Sequence, residues 1–359
     1  MKKIDKKLLI TIITLSLIGI IMIYSSSNIW AKYKYNDEFR FLKLQSIFFL
    51  ISLFALKIVS NIDYKYYYNN SKKIIFICFI LLILVLIPGI GSVRNGSRSW
   101  FGIGGLGIQP SEFMKLAIII FISKYLSDYP KSVKNIKKEI IPLLFIPALS
   151  FLLIMLQPDL GTGVIILVTS ISLLFVSGVD FSFFTKIGIL GLFGFTGLIV
   201  IAPYRIKRIL AFLNPWVDPL GSGFQSIQSL FAIGPSGLLG TGFGNSVQKH
   251  FYLPEPQTDF IFSIITEELG IFGSIIICFL FSYIIYRSLK IAINSKDLFS
   301  KYLVFGITFQ LAFQTLLNLS VVVGLVPITG VTLPFLSYGG SSLITTMISI
   351  GIILNISKQ

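Results

Sequence analysis

Histidine, cysteine and acidic side chains are all scarce in this chain. Its single histidine, His250, cannot build a metal centre alone and reads as an ordinary loop residue. The two cysteines, Cys78 and Cys278, both lie in apolar stretches, so neither a disulfide framework nor a thiolate metal cluster follows from them. Charged residues make up only 13% of the sequence, too few for an ordinary soluble domain. No P-loop, no HExxH zinc motif and no nucleophile elbow occurs. Gly102, Gly104 and Gly107 match G-x-G-x-x-G, but no strand is expected before them and no βαβ unit around them, so the dinucleotide reading fails on context.

What the chain does have is apolar length. Hydrophobic residues reach 54%, mean hydropathy is +0.86, and apolar stretches of roughly 18 to 25 residues recur, each able to cross a ~30 Å hydrocarbon core as a helix. Ten spans are predicted, at about 8–25, 43–60, 73–88, 111–127, 139–156, 163–178, 183–202, 260–285, 302–323 and 338–356. The first follows a charged leader, MKKIDKK, and is too long an apolar run for a cleaved signal peptide, so it is expected to be retained. Eighteen lysines and arginines fall on the side that holds both termini and ten on the other, which predicts cytoplasmic termini. The formal charge of +15 is thereby a matter of topology and does not point to nucleic acid. The expected fold class is an all-α polytopic membrane protein: one domain over residues 1–359, ten transmembrane helices, and a large extracellular loop of about 203–259 between helices seven and eight. No internal repeat stands out, which weakens a transporter built from inverted halves. Gly188, Gly191, Gly194 and Gly197 recur every three residues in the seventh span, a smooth stripe suited to close helix packing or to lipid passing alongside.

Four constellations can carry chemistry. In QPSEFMKLA, Pro110 and Ser111 mark a helix start with Ser111 as the expected N-cap, and Glu112 and Lys115 share a face. That pair is either a structural lock or the wall of a substrate cavity. In QPDLGT, Asp159 sits in a short outer turn where it can cap the sixth helix. Arg205, Lys207 and Arg208 cluster outside, against the topology rule, and so want an anion: lipid headgroups or a bound diphosphate. Last, PEPQTDFIFSIITEELG puts Asp259 where a polar loop meets an apolar span, with Glu267 and Glu268 two to three turns deeper. A carboxylate at such a boundary is costly to desolvate, so a general base is its sharp reading and an interfacial anchor its plain one. Glu267 and Glu268 read as structural contacts, to Lys115 or to buried polar groups.

Taken together and in order, GSRSWFGIGGLGIQPSEFMKLA, QPDLGTG, YRIKRILAFLNPWVDPLGSGFQSIQSL, GNSVQKHFYLPEPQTDFIFSIITEELG and TGVTLPFLSYGGSSL resemble the SEDS family (shape, elongation, division and sporulation), in its FtsW/SpoVE branch. The resemblance implies a ten-helix peptidoglycan glycosyltransferase of the plasma membrane, with its active site facing outside and lipid II and the nascent glycan strand as substrates. It implies a class B penicillin-binding protein, a transpeptidase, as partner, alongside other division or elongation proteins. Carried over by motif, Asp259 matches the family's essential aspartate, and Glu112, Lys115 and Asp159 match polar residues of its central cavity. Arg98, Arg205, Lys207 and Arg208 are the candidates to hold diphosphate, with a divalent cation, Mg or Mn, as a possible aid. Phe224 in place of the usual Tyr, and Pro235 within the usual IGxGG run, depart from the family pattern. Two competing functions fit the same residues: a lipid II flippase and a non-catalytic scaffold for the transpeptidase.

Overall fold

The computed structural model describes residues 4–94, 96–102, 107–201 and 203–359, with the side chains of residues 132, 195, 198–201 and 203–205 left undescribed. Helices dominate. α1 (Lys6–Tyr35), α2 (Arg40–Asn61) and α3 (Lys65–Leu84) lead into a short hairpin, β1 (Ser92–Arg94) and β2 (Ser97–Trp100). Then come α4 (Pro110–Asp128), α5 (Ile141–Met155), α6 (Leu160–Ser177) and α7 (Phe181–Ile201). α8 (Pro203–Leu213) and α9 (Phe224–Ile233) precede α10 (Ile261–Ile293), α11 (Leu298–Val322) and α12 (Gly340–Ile356). Among the described residues, seven helical stretches are long and apolar enough to cross a membrane, and the chain is a multi-pass membrane protein.

The hairpin corrects two expectations. The class is helical but not purely so, and a strand does precede Gly102. That strand pairs antiparallel with its neighbour, so no dinucleotide-binding crossover results; Gly104 lies outside the described residues. α8 was missed altogether because its arginines and lysine interrupt the hydropathy, yet its apolar residues lie on one face. α9 spans the stretch where the apolar spacing predicts a short helix. At α4 the expected cap is displaced: Gln109 holds the N-cap position, Pro110 opens the helix, and Ser111 lies inside it. Of the two readings of the glycine stripe, close helix packing is not met. A Cβ at Gly188, Gly191, Gly194 or Gly197 would meet nothing within 4 Å, so the stripe makes no close helix contact within the described chain.

α4 is the central post. Ile118, Ile119, Ile120 and Ile122 are buried, as are its polar residues Glu112 and Lys115, and it touches α3, α6 and α11. Where α4, α6 and α11 meet, Gly306 lets the backbone approach Ile119 and Leu173, since a Cβ there would come within 2.7 Å of Ile119. α12 lies along α2 in the same way, with Gly340 under the Phe48 ring and Gly351 against Val59.

α10 carries a sharp bend. Gly270 has φ +67°, and a Cβ on it would collide with Gly240 N and Leu238 O. Only glycine fits a left-handed conformation under another backbone segment, so the predicted single span becomes two helical halves. α1 runs beside α10. Asp5, which caps α1, receives a hydrogen bond of 3.1 Å from Arg287 Nε on the far half. Ser25, more than five turns along α1, donates to Glu268 at 2.7 Å on the near half.

Candidate active site

Between α11 and α12 the chain leaves helical structure, and residues 328–332 form a strap whose backbone needs partners from elsewhere. Side chains supply them. Arg208 Nη1 donates to Ile328 O at 3.1 Å, Asn318 Nδ2 to Val331 O at 2.8 Å, and Gln314 Nε2 to Thr332 O at 2.9 Å. The loop before α10 then docks on the same segment: Ser337 Oγ donates to Thr258 O at 2.6 Å and Tyr338 N to Gln257 O at 2.8 Å.

Asp259 sits at this junction. Its carbonyl accepts from Asn318 Nδ2 at 2.7 Å, and its Oδ2 lies 3.8 Å from the place a Cβ would take on Gly330. On the other side of the strap, the first turn of α6 packs so closely that a Cβ on Gly161 would fall 2.8 Å from Thr329 O and 2.5 Å from Val331 Cγ2. Asp159 caps that helix as its sequence position suggests: Oδ1 accepts from Thr162 N at 3.0 Å, and Oδ2 from Gln109 Nε2 at 3.2 Å. Deeper in, Lys115 Nζ pairs with Glu112 Oε1 at 2.9 Å and donates to Gln314 Oε1 at 2.9 Å. Asp159 and Asp259 therefore flank the strap, while Gln314 ties it to the Glu112–Lys115 pair.

Burial raises the proton affinity of both aspartates. Asp259 is pushed from the ordinary 3.8 up to about 6, first by desolvation; a hydrogen bond from Thr258 opposes the shift, Glu255 and Asp159 add to it, and Arg208 subtracts from it. For Asp159 desolvation again leads, opposed by Thr162 and Lys115 and reinforced by Glu112. A carboxylate with a pKa near 6 is still mostly ionised at neutral pH and is a stronger base than an ordinary aspartate.

The cations divide. Arg208 reaches the strap and acts on Asp259; Lys207 is exposed on α8, and the Arg205 side chain lies outside the described residues. Arg98 lies in the hairpin opposite Val93 and beside Gly91, and no described contact brings it to either aspartate. Arg94 is the better placed of the hairpin arginines: its guanidinium lies 5.0 Å from the Trp100 ring centre, packs against Gly107, and lowers the phenol pKa of Tyr338 through space against the larger effect of burial. Glu267 and Glu268 belong to a separate cluster. Glu267 accepts from Val247 N at 2.8 Å, and Glu268 takes Ser25 and, at 3.3 Å, Lys249 Nζ. The contact to Lys115 weighed from the sequence is not made; the buried polar groups of the loop take its place.

Gln314 and Asn318 escaped the sequence reading. A signal for them exists: three amides, Gln310, Gln314 and Asn318, recur every four residues along one face of a largely apolar helix, where an unpaired polar group would be costly. Among the described residues no three His, Cys, Asp or Glu side chains come together to hold a metal.

A bundle of membrane-length helices with two buried acids flanking a non-helical strap defines a class, polytopic membrane proteins with a polar site. The chain belongs within it to the FtsW/RodA/SpoVE family, described as cell cycle proteins, whose pattern matches residues 6–359. It is 52% identical to stage V sporulation protein E of Bacillus subtilis over 359 residues, covering 99% of this chain and 98% of that one. It is 37% identical to a protein of Geobacter sp. (strain M18) named probable peptidoglycan glycosyltransferase FtsW, covering 99% and 97%. In structure it is similar to a chain of a peptidoglycan synthase complex solved to show the coordination of polymerization and crosslinking, with TM-score 0.78, 30% identity and coverage of 99% and 97%. The rod shape determining protein RodA of Thermus thermophilus matches with TM-score 0.71 at 26% identity, covering 99% and 96%.

Proposed function

We propose that this protein is a peptidoglycan glycosyltransferase that polymerises lipid II at the outer face of the plasma membrane. The observation that carries the reading is Asp259: a partly buried carboxylate of raised proton affinity, anchored through its backbone and flanked by further polar groups. The reading takes all ten predicted spans as crossing the membrane, with cytoplasmic termini and the loop of about 203–259 outside. Asp259 removes the proton from the 4-hydroxyl of the acceptor GlcNAc as that oxygen attacks the anomeric carbon of the donor. The bond to undecaprenyl diphosphate breaks with inversion, and the diphosphate leaves with the bonding pair. Because this leaving group is already a weak base, no strong protein acid is needed, unlike the two-carboxylate arrangement of glycosidases.

Arg208, Lys207, Arg205 and Arg98 are the candidates to hold diphosphates, with Arg208 favoured by its approach to Asp259. Among the described residues no three metal-ligating side chains converge; a divalent cation, Mg or Mn, would add positive charge against the departing diphosphate. An apolar groove of about 480 Å³, lined by Phe262, Ile275, Phe279 and Val323 among others, opens beside the bend of α10. A class B penicillin-binding protein would crosslink the product, in keeping with the similarity to a synthase complex. One observation favours a second reading: the buried Glu112–Lys115 pair would also suit a lipid II flippase.

The test is polymer formation by the purified protein with its cognate transpeptidase, supplied with lipid II. Wild type makes polymer and Asp259→Asn loses at least ~100-fold of the rate. Full activity in Asp259→Asn, or no polymer from a well-folded complex, overturns the assignment; transfer of lipid II across vesicles without polymer supports the flippase, and partner binding alone supports a scaffold.

A further inference from the structure

One amide group makes the contacts that join Asp259 to the strap. Asn318 lies fully buried on α11, and its Nδ2 donates at 2.7 Å to Asp259 O and at 2.8 Å to Val331 O. Both partners are carbonyl oxygens, so only the nitrogen end of the amide can serve, and turning the group over would set oxygen against oxygen. Its Oδ1 has no hydrogen-bond partner, a cost the protein carries to keep this orientation. One turn earlier on the same face, Gln314 takes the next strap carbonyl, Thr332 O, and receives Lys115 Nζ on its Oε1. A continuous path thus runs from Glu112–Lys115 through Gln314, the strap and Asn318 to Asp259.

We infer that Asn318 is a positioning residue for Asp259, fixing the carboxylate against the strap so that it meets the acceptor hydroxyl in one geometry, with Gln314 holding the neighbouring strap carbonyl. The inference rests on the proposed function. Neither amide touches substrate. The charged and titratable groups that act on Asp259 are Glu255 of its own loop, Arg208 of α8 and Asp159 at the cap of α6. All three bear on a carboxylate whose place depends on Asn318, so releasing it changes its solvation and its distance to each of them.

The experiment compares wild type, Asp259→Asn and Asn318→Leu, a neutral replacement of similar size that removes the donor. Each is assayed for lipid II polymerisation in complex with its transpeptidase, across pH 5 to 8. Asn318→Leu is expected to lose on the order of 10–100-fold in kcat per folded molecule, with KM within about twofold. The acid limb of its residual activity moves to lower pH as Asp259 gains water. Backbone amides of residues 330–333 exchange with deuterium faster, while those of α2 do not change. Wild-type kcat, acid limb and strap exchange in Asn318→Leu, beside an active wild type and an inactive Asp259→Asn, overturn this role and leave the proposed function standing. A folded wild-type complex without polymer overturns both. If Asn318→Leu does not fold, Asn318→Ser keeps one donor on a shorter reach and is judged on the same three readouts.

Discussion

The aspartate proposed as the base should weaken the protein that carries it. Unfolded, Asp259 titrates near 3.8; folded, its carboxyl is raised to about 6. From below pH 4 to about pH 6 the folded state therefore binds more protons than the unfolded one, and stability falls as pH rises through that window. Above it the loss is complete and constant. A shift of roughly two units corresponds to about 3 kcal/mol, and because part of the side chain reaches solvent the expected effect is about 1–2 kcal/mol. Asp259→Asn keeps the shape and removes the charge. Its unfolding midpoint, followed by differential scanning fluorimetry in detergent micelles, should match wild type at pH 4 and exceed it by about 2 °C or more at pH 7.5. A mutant less stable than wild type at pH 7.5, or a difference that does not change with pH, would refute the claim that the folded site disfavours the ionised carboxylate. The gain in stability should accompany the loss of polymerisation, the pattern expected when a charge is held at a cost for chemistry.

Two further outcomes follow from the same electrostatics. The acid limb of wild-type polymerisation should have its midpoint near pH 6, so the rate at pH 5 is about one tenth of the plateau; a limb centred near pH 4 would contradict it. Lys249→Met should destabilise the fold by about 3–5 kcal/mol, because it leaves Glu268 buried without its cation. The double variant Lys249→Met with Glu268→Gln should recover most of that loss in a thermal unfolding assay, and failure to recover would mean that Lys249 acts through another contact.

The helices were legible because apolar length is a direct physical demand of a bilayer, and each predicted span coincides with a helix in position if not in extent. α1 runs on past the expected residue 25 to Tyr35, where Trp30 and Tyr35 pack against Phe41 at the start of α2; such rings continue a helix without adding to hydropathy. The hairpin Ser92–Trp100 lay hidden in a glycine-rich loop, since strands this short carry no period long enough to read. Glu112, Lys115, Asp159 and Asp259 were legible because carboxylates and ammonium groups in or beside apolar runs need a reason to be there. Asn318 and Gln314 were not singled out: an amide carries no charge to mark it, and its importance depends on a strap that no local pattern places beside it. Arg94 and Arg98 are the same residue type in one glycine-rich loop, so no local pattern separates them; only the folded hairpin brings the Arg94 charge to bear on Tyr338.

The two ties between α1 and α10 give the first helix a mechanical part. Arg287 and Glu268 stand on opposite sides of Gly270, and both are fastened to α1, at Asp5 and at Ser25. A rod fixed to both arms of a bent beam acts as a splint. Gly270 alone would make a free hinge, but closing or opening its angle changes the distance between the two anchor points, and an α-helix cannot stretch to follow. The bend is thus a set angle, and Asp5, at the N-cap of α1, helps to hold the two halves of α10 in it.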